Sequence, residues 1–191
     1  MPKLGMEPLR RASLVQATIT EIGRAQSLDV TVGQIAKTAG MSTALAHHYF
    51  GGKNQIFLAA MRHILTEYGT KVRHHLRHAT TPQARVEAII TASFDETFFA
   101  PGTVAAWMTL YAAAPTQPQT RRLLTLYQSR LRSNLTFALR PLSATPQAHA
   151  DVMAALIDGL YLRAALSDAG SAEAARNAAL DTLSHLLGDQ A

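Results

Sequence analysis

Within Gly40–Lys53, which reads GMSTALAHHYFGGK, two histidines stand beside a tyrosine and a phenylalanine, and Gly-Gly-Lys follows. Residues of these types serve metal ligation, phosphate binding by a glycine-rich loop, or contact with nucleic acid. On a helix, neighbours point about 100° apart, so His47 and His48 cannot chelate one metal together. Gly51-Gly52-Lys53 lacks the upstream glycine and the downstream Ser/Thr of a phosphate-binding loop. A nucleic-acid surface suits the remaining chemistry. Ser42, Thr43, Ala44 and His47 are small or hydrogen-bonding and can approach base edges closely. Tyr49 and Lys53 can grip phosphate oxygens. Thr31 and His48 complete this expected DNA-facing set, while Phe50 reads as core. No metal site is expected here.

Three short helices must position these residues. Val15, Ile19 and Ile22 recur at helical spacing in a first helix from about Pro8 to Gln26. Thr31 precedes a second, Val32–Ala39, stopped by Gly40. Ser42 is placed to N-cap a third that runs to about His47. Ala36 and Ala39 are small enough for close helix approach, Gly40 can take positive φ at the corner, and Met41 can plug the gap. This pattern is a helix-turn-helix, whose third helix enters the major groove. Lys3, Arg10 and Arg11 form a basic arm ahead of the first apolar stripe. They read as phosphate or minor-groove contacts, or as a solvated terminus.

Charge points the same way. Residues 1–80 hold ten Lys/Arg and four Asp/Glu, a net of +6, and six of the eight histidines. Residues 81–191 hold eight and nine, a net of −1. A basic head meeting a polyanion, joined to a neutral body with another task, fits this split.

The body reads as further helices, about nine in the chain, with prolines at most joints. A long helix over Asn54–His78 carries Phe57, Met61, Ile64, Tyr68 and Val72 on one face. Others start at Pro82, Val104 and Pro146, another carries Leu124, Tyr127, Leu131 and Leu135 after a boundary marked by Pro115 and Pro118, and a last one uses Ala179, Leu183 and Leu187. The expected division is residues 1–53 for DNA binding and 54–191 for ligand binding and dimerisation. The all-α class follows from the absence of any alternating strand pattern.

The stretch TVGQIAKTAGMSTALAHHYFGGKNQIFLAAM resembles the DNA-binding head of TetR-type transcriptional regulators. That resemblance implies a homodimer on a palindromic duplex DNA operator, with an all-helical body that binds a small-molecule inducer. MPKLGMEPLRRASLVQAT and ALIDGLYLRAALS are similar to the choline-responsive branch of that family. They imply a repressor of choline-to-glycine-betaine genes. A multidrug sensor with the same head and a broader pocket is the alternative.

A quaternary ammonium inducer is held by aromatic faces, often with a carboxylate nearby. The body offers Phe94, Phe98, Phe99, Trp107, Tyr111, Tyr127 and Tyr161, with Asp95, Glu96 and Asp158 as counter-charges. Trp107, the only tryptophan, shares a helix face with Tyr111. The expected ligand set is Phe94, Asp95, Trp107, Tyr111, Tyr127, Asp158 and Tyr161. Each also has a bland reading: the aromatics as core, Asp158 as a backbone partner near Gly159. His74 and His78, at i,i+4, could ligate metal only with a third group such as Glu67. The alanine-rich faces of Met153–Leu166 and Ala172–Leu187 fit a four-helix dimer interface or an intrachain bundle.

Composition limits the remaining classes. Hydrophobic residues make up 48% and charged ones 16%, enough for a core and too few charges for a disordered polyelectrolyte. Cysteine is absent, which excludes disulfides and thiolate zinc and fits a reducing cytoplasm. No secretory h-region or membrane-length apolar run is present. GxSxG, GxGxxG and HExxH are missing, so no enzyme activity and no cofactor are expected. A membrane-surface basic module would bind lipid with no DNA sequence preference.

Overall fold

The computed structural model describes residues 5–27, 29–167 and 170–188. Among these the chain is all-α, with no strand. The helices are α1 (Met6–Ala25), α2 (Val32–Thr38), α3 (Thr43–Phe50), α4 (Lys53–His78), α5 (Pro82–Ser93), α6 (Pro101–Ala113), α7 (Pro118–Leu139), α8 (Pro146–Ala165) and α9 (Ala172–Gly188). A 3-10 turn, Glu96–Phe99, precedes α6. Proline opens α5, α6 and α8, where its fixed φ suits the helix and its missing N–H is not needed.

Packing divides the chain into two compact units. One holds the residues up to Thr66 together with Ala100–Leu124. The other holds Glu67–Phe99 together with the residues from Thr125 onward. In the first unit, Leu14 and Ile22 of α1, Ile35 and Ala36 of α2, Ala46 of α3 and Ile56 and Met61 of α4 are buried. There α1 meets α6 backbone to backbone. A Cβ on Gly102 would lie 2.3 Å from the Ile19 carbonyl oxygen, and one on Gly23 would lie 2.7 Å from the Gly102 Cα. Only glycine permits that approach. In the second unit, Ile89 and Ile90 of α5, Leu131 and Leu135 of α7, Met153 and Ile157 of α8 and Ala179 and Leu183 of α9 form the core.

Several boundaries differ from expectation. Helix α1 begins at Met6, so Arg10 and Arg11 stand within its early turns. Lys3 lies outside the described residues. Helix α3 continues past His47 to Phe50 and ends at Gly51, whose φ of +77° breaks the right-handed helix. Helix α6 begins at Pro101, three residues before Val104, because Pro101 occupies the first turn.

Candidate DNA-binding surface and inducer site

The helix-turn-helix is assembled from short-range bonds. Thr31 N-caps α2 through a capping box: its hydroxyl accepts from Gln34 N at 3.1 Å and Gln34 Oε1 accepts from Thr31 N at 2.7 Å. The same hydroxyl donates to Gln34 Oε1 at 2.9 Å, so cap geometry occupies Thr31. At the corner Gly40 takes φ +67° and Met41 N donates to Ala36 O at 2.8 Å. Ser42 caps α3 by accepting from Leu45 N at 3.2 Å, which leaves its O–H able to donate to DNA.

Ala46 turns inward and is fully buried, so the opposite face of α3 points out. Ser42, Thr43, Ala44, His47 and His48 are exposed there. His47 Nδ1 lies 3.2 Å from Gly51 O. A carbonyl only accepts, so Nδ1 carries the proton in this bond, and in that tautomer Nε2 is an acceptor. Such an acceptor suits an exocyclic amine of adenine or cytosine. Tyr49 closes α3 and Lys53 opens α4, both half-buried. Arg10 Nη1 reaches Tyr49 Oη at 3.4 Å, and Arg11 Nη1 donates to Tyr49 O at 2.7 Å. Phe50 is half-buried, not fully core, and its ring lies under the Arg11 guanidinium at 5.2 Å.

The second unit contains an aromatic cluster with a carboxylate. Tyr68 of α4 sits edge-on to Phe98 of the 3-10 turn and to Tyr127 of α7, with centroids 6.0 and 5.8 Å away. Tyr127 Oη donates to Asp158 Oδ1 of α8 at 2.8 Å. The Ser93 hydroxyl donates to Ile89 O at 2.9 Å, so its 3.0 Å bond with Tyr68 Oη has the tyrosine as donor. Burial pushes the Tyr68 phenol up to about 12, and the Asp158 charge adds to this.

Around this cluster, Tyr161 Oη donates to Phe98 O at 2.7 Å and its ring lies 5.0 Å from Phe99. Burial raises its phenol too. Phe94 is core. Asp95 is paired with Lys71. Burial works against its charge, but Lys71 Nζ at 2.8 Å and the Thr97 hydroxyl and amide at 2.6 and 3.0 Å hold its carboxyl below the usual range. Its charge is thus already matched. Trp107 and Tyr111 belong to the first unit, with ring centroids 6.1 Å apart and planes inclined by 34°.

Of the expected ligand residues, then, Tyr127 and Asp158 are brought into direct contact. Tyr68 was foreseen only as part of an apolar stripe. Its signal was a hydroxyl in a row of apolar neighbours. His74 lies 5.3 Å from His78, ring centre to ring centre, but among the described residues no group of three or more His, Cys, Asp or Glu is placed to hold a metal. No described helix is long and apolar enough to cross a membrane.

A helix-turn-helix with an outward-facing polar turn, continued by an all-helical body, belongs to the class of DNA-binding transcription regulators. Residues 15–60 match the bacterial regulatory proteins of the tetR family, and residues 82–188 match the C-terminal part of BetI-type transcriptional repressors. The HTH-type transcriptional regulator BetI of Brucella melitensis biotype 2 is 51% identical over 178 residues, 92% of this chain and 90% of that protein. BetI of Rhizobium meliloti strain 1021 is 47% identical over 171 residues, 88% of this chain and 84% of that one. A transcriptional regulator from Saccharomonospora viridis, solved in complex with choline, shares the fold with a TM-score of 0.82 and 19% identity, over 92% of this chain and 95% of the other. The chain belongs to the TetR family and is a BetI-type transcriptional repressor, not an enzyme.

Proposed function

We propose that this repressor controls choline-to-glycine-betaine genes in the cytoplasm, binds a palindromic operator as a homodimer, and releases it when choline binds. Residues 1–53 carry the DNA-binding role and 54–191 the inducer and dimer roles. The observation that carries the inducer is the Tyr68–Phe98–Tyr127 cluster with Asp158 in hydrogen-bond contact. A permanent trimethylammonium cation cannot shed its charge, so burying it without a partner is prohibitive. Aromatic faces and one carboxylate are the partners such a cation takes. The relatives' identity as BetI and the neighbour solved with choline support the same ligand.

Dimerisation is supported by α8. Val152 and Leu166 are 50% and 68% exposed, and a Cβ on Gly159 would meet nothing within its own chain. With Ala155 and Leu162 they make an apolar stripe, small at Ala155 and Gly159, suited to a close helix partner. Coupling is assigned to α4, whose residues belong to both compact units. Choline must favour a state in which the two heads no longer match the operator spacing.

Fluorescence anisotropy on the duplex upstream of this gene, titrated with choline, tests the proposal. Choline should release the DNA, and calorimetry should show choline binding to the free protein. If choline does neither while bulky hydrophobic cations do both, the multidrug reading replaces this one.

A further inference from the structure

Arg11 carries a charge that sequence reasoning aims at DNA, but its guanidinium is turned back onto the recognition helix. Nη1 donates to the Tyr49 carbonyl at 2.7 Å. Nε donates to Glu7 Oε1, one turn earlier on α1, at 2.9 Å. The flat face covers two rings, with the guanidinium carbon 5.4 Å from the Tyr49 centroid and 5.2 Å from that of Phe50. Alongside it, Arg10 reaches the Tyr49 hydroxyl at 3.4 Å.

The last carbonyls of a helix have no partner within it and carry partial negative charge. Arg11 supplies a donor and a positive charge at that end of α3. Its planar fork meets a carbonyl, a carboxylate and two ring faces together, which an ammonium cannot do. Helix α3 has only eight residues, held by the Ser42 cap, the buried Ala46, the Gly51 turn and its packing on α2, so a clamp at its last turn weighs on its orientation.

We propose that Arg11 is a positioning residue. It clamps the C-terminal turn of α3 to α1, sets the angle at which α3 enters the major groove, and fixes the Tyr49 phenol beside Arg10. It does not act as a phosphate contact. The distinction is measurable because Arg11 keeps 43% of its side-chain exposure, so phosphate is not sterically barred. A phosphate contact weakens all duplexes alike and lowers the salt slope by ~1 when removed. A clamp weakens the operator selectively and leaves the slope unchanged.

The test compares the full-length protein with Arg11→Lys and with the milder Glu7→Gln, on the operator and on a random duplex, across a salt series. Arg11→Lys should lose about tenfold in operator affinity and less than about twofold on random DNA, with the slope retained. Glu7→Gln, which loosens the clamp but keeps the cation, should fall between wild type and Arg11→Lys. Amide exchange at His48–Gly51 should quicken in both variants. Full retention of operator affinity by Arg11→Lys overturns the proposal, as does an equal loss on both duplexes; lysine keeps the charge, so the duplex comparison and not the slope decides. If Arg11→Lys fails to fold, Glu7→Gln decides: unchanged exchange at His48–Gly51 together with unchanged operator preference overturns it.

Discussion

The outward face of α3 and the Tyr68–Tyr127–Asp158 cluster both rely on polar groups, but under opposite solvation. On α3, Ser42, Thr43, His47 and His48 stand in water, which DNA replaces on the reading proposed above. Each contact exchanges one hydrogen bond for another and is screened by salt, so single effects are modest. In the cluster, Asp158 is bonded to a buried tyrosine and its field reaches Tyr68. A cation arriving there meets a half-buried carboxylate, less screened than one on the open surface. Substitutions in the cluster should therefore act on inducer affinity strongly, and those on α3 should act on DNA preference mildly.

The largest expected effect is at the carboxylate. Asp158→Asn keeps the shape and removes the charge. If bound choline covers Asp158, loss of the carboxylate costs ~3 kcal/mol, about a hundredfold in choline affinity by calorimetry. A loss under about threefold would show that Asp158 only holds Tyr127 in place.

Next comes Trp107, which sharpens the contrast between the two aromatic groups. If it faces the inducer, Trp107→Ala weakens choline by roughly thirtyfold, ~2 kcal/mol, and Trp107→Phe by less. Trp107 is only 7% exposed. If it is core alone, the alanine variant melts earlier, by ~3 kcal/mol of lost packing, with choline binding intact. Although distant in sequence from α3, Trp107 shares its compact unit, so operator binding must be measured alongside.

Smaller effects belong to the DNA face. Lys53→Ala should weaken all duplexes similarly and flatten the salt slope by ~1. An unchanged slope in filter-binding across salt removes Lys53 from the phosphate set. Thr43 and His47 substitutions should instead change which operator base is preferred, and an unaltered preference profile removes them from base reading.

The smallest effect is alkaline. With the Tyr68 phenol raised from 10.0 to about 12, the unfolded chain releases this proton first. The native state binds more protons in that window, so stability is fully present below about pH 10 and falls as pH rises towards about 12. Tyr68→Phe should shrink the fall in Tm between about pH 9 and about pH 11, leaving the share due to Tyr161. An undiminished fall would mean that Tyr68 is not the buried phenol responsible.

How much was legible follows the range of each contact. The helix-turn-helix is built from pairs three to five residues apart: Thr31 with Gln34, Ser42 with Leu45, Met41 with Ala36. Caps, a positive-φ glycine and small residues at a corner act within a turn of chain, so the residue order displays them. The all-helical class was equally open, since a 3.6-residue period and opening prolines are local marks. The ends of α3 and α6 were less so, because Phe50 and Pro101 extend helices that their immediate neighbours do not demand.

By itself, then, the sequence determined the local frame of this protein: the helices, the corner of the head, the outward polar turn of α3, and the basic charge around it. Tertiary structure alone decided which distant residues share a site. Tyr127 and Asp158 are 31 residues apart, Tyr68 and Ser93 are 25, and Arg11 and Tyr49 are 38. It also decided that Asp95 is matched by Lys71 and that Arg11 serves α3. The physical reason is that a helical period specifies which face is buried but not what it is buried against. The partner across the core is chosen by the packing of whole helices, through volume, close approaches such as Gly23 on Gly102, and the need to satisfy each buried polar group.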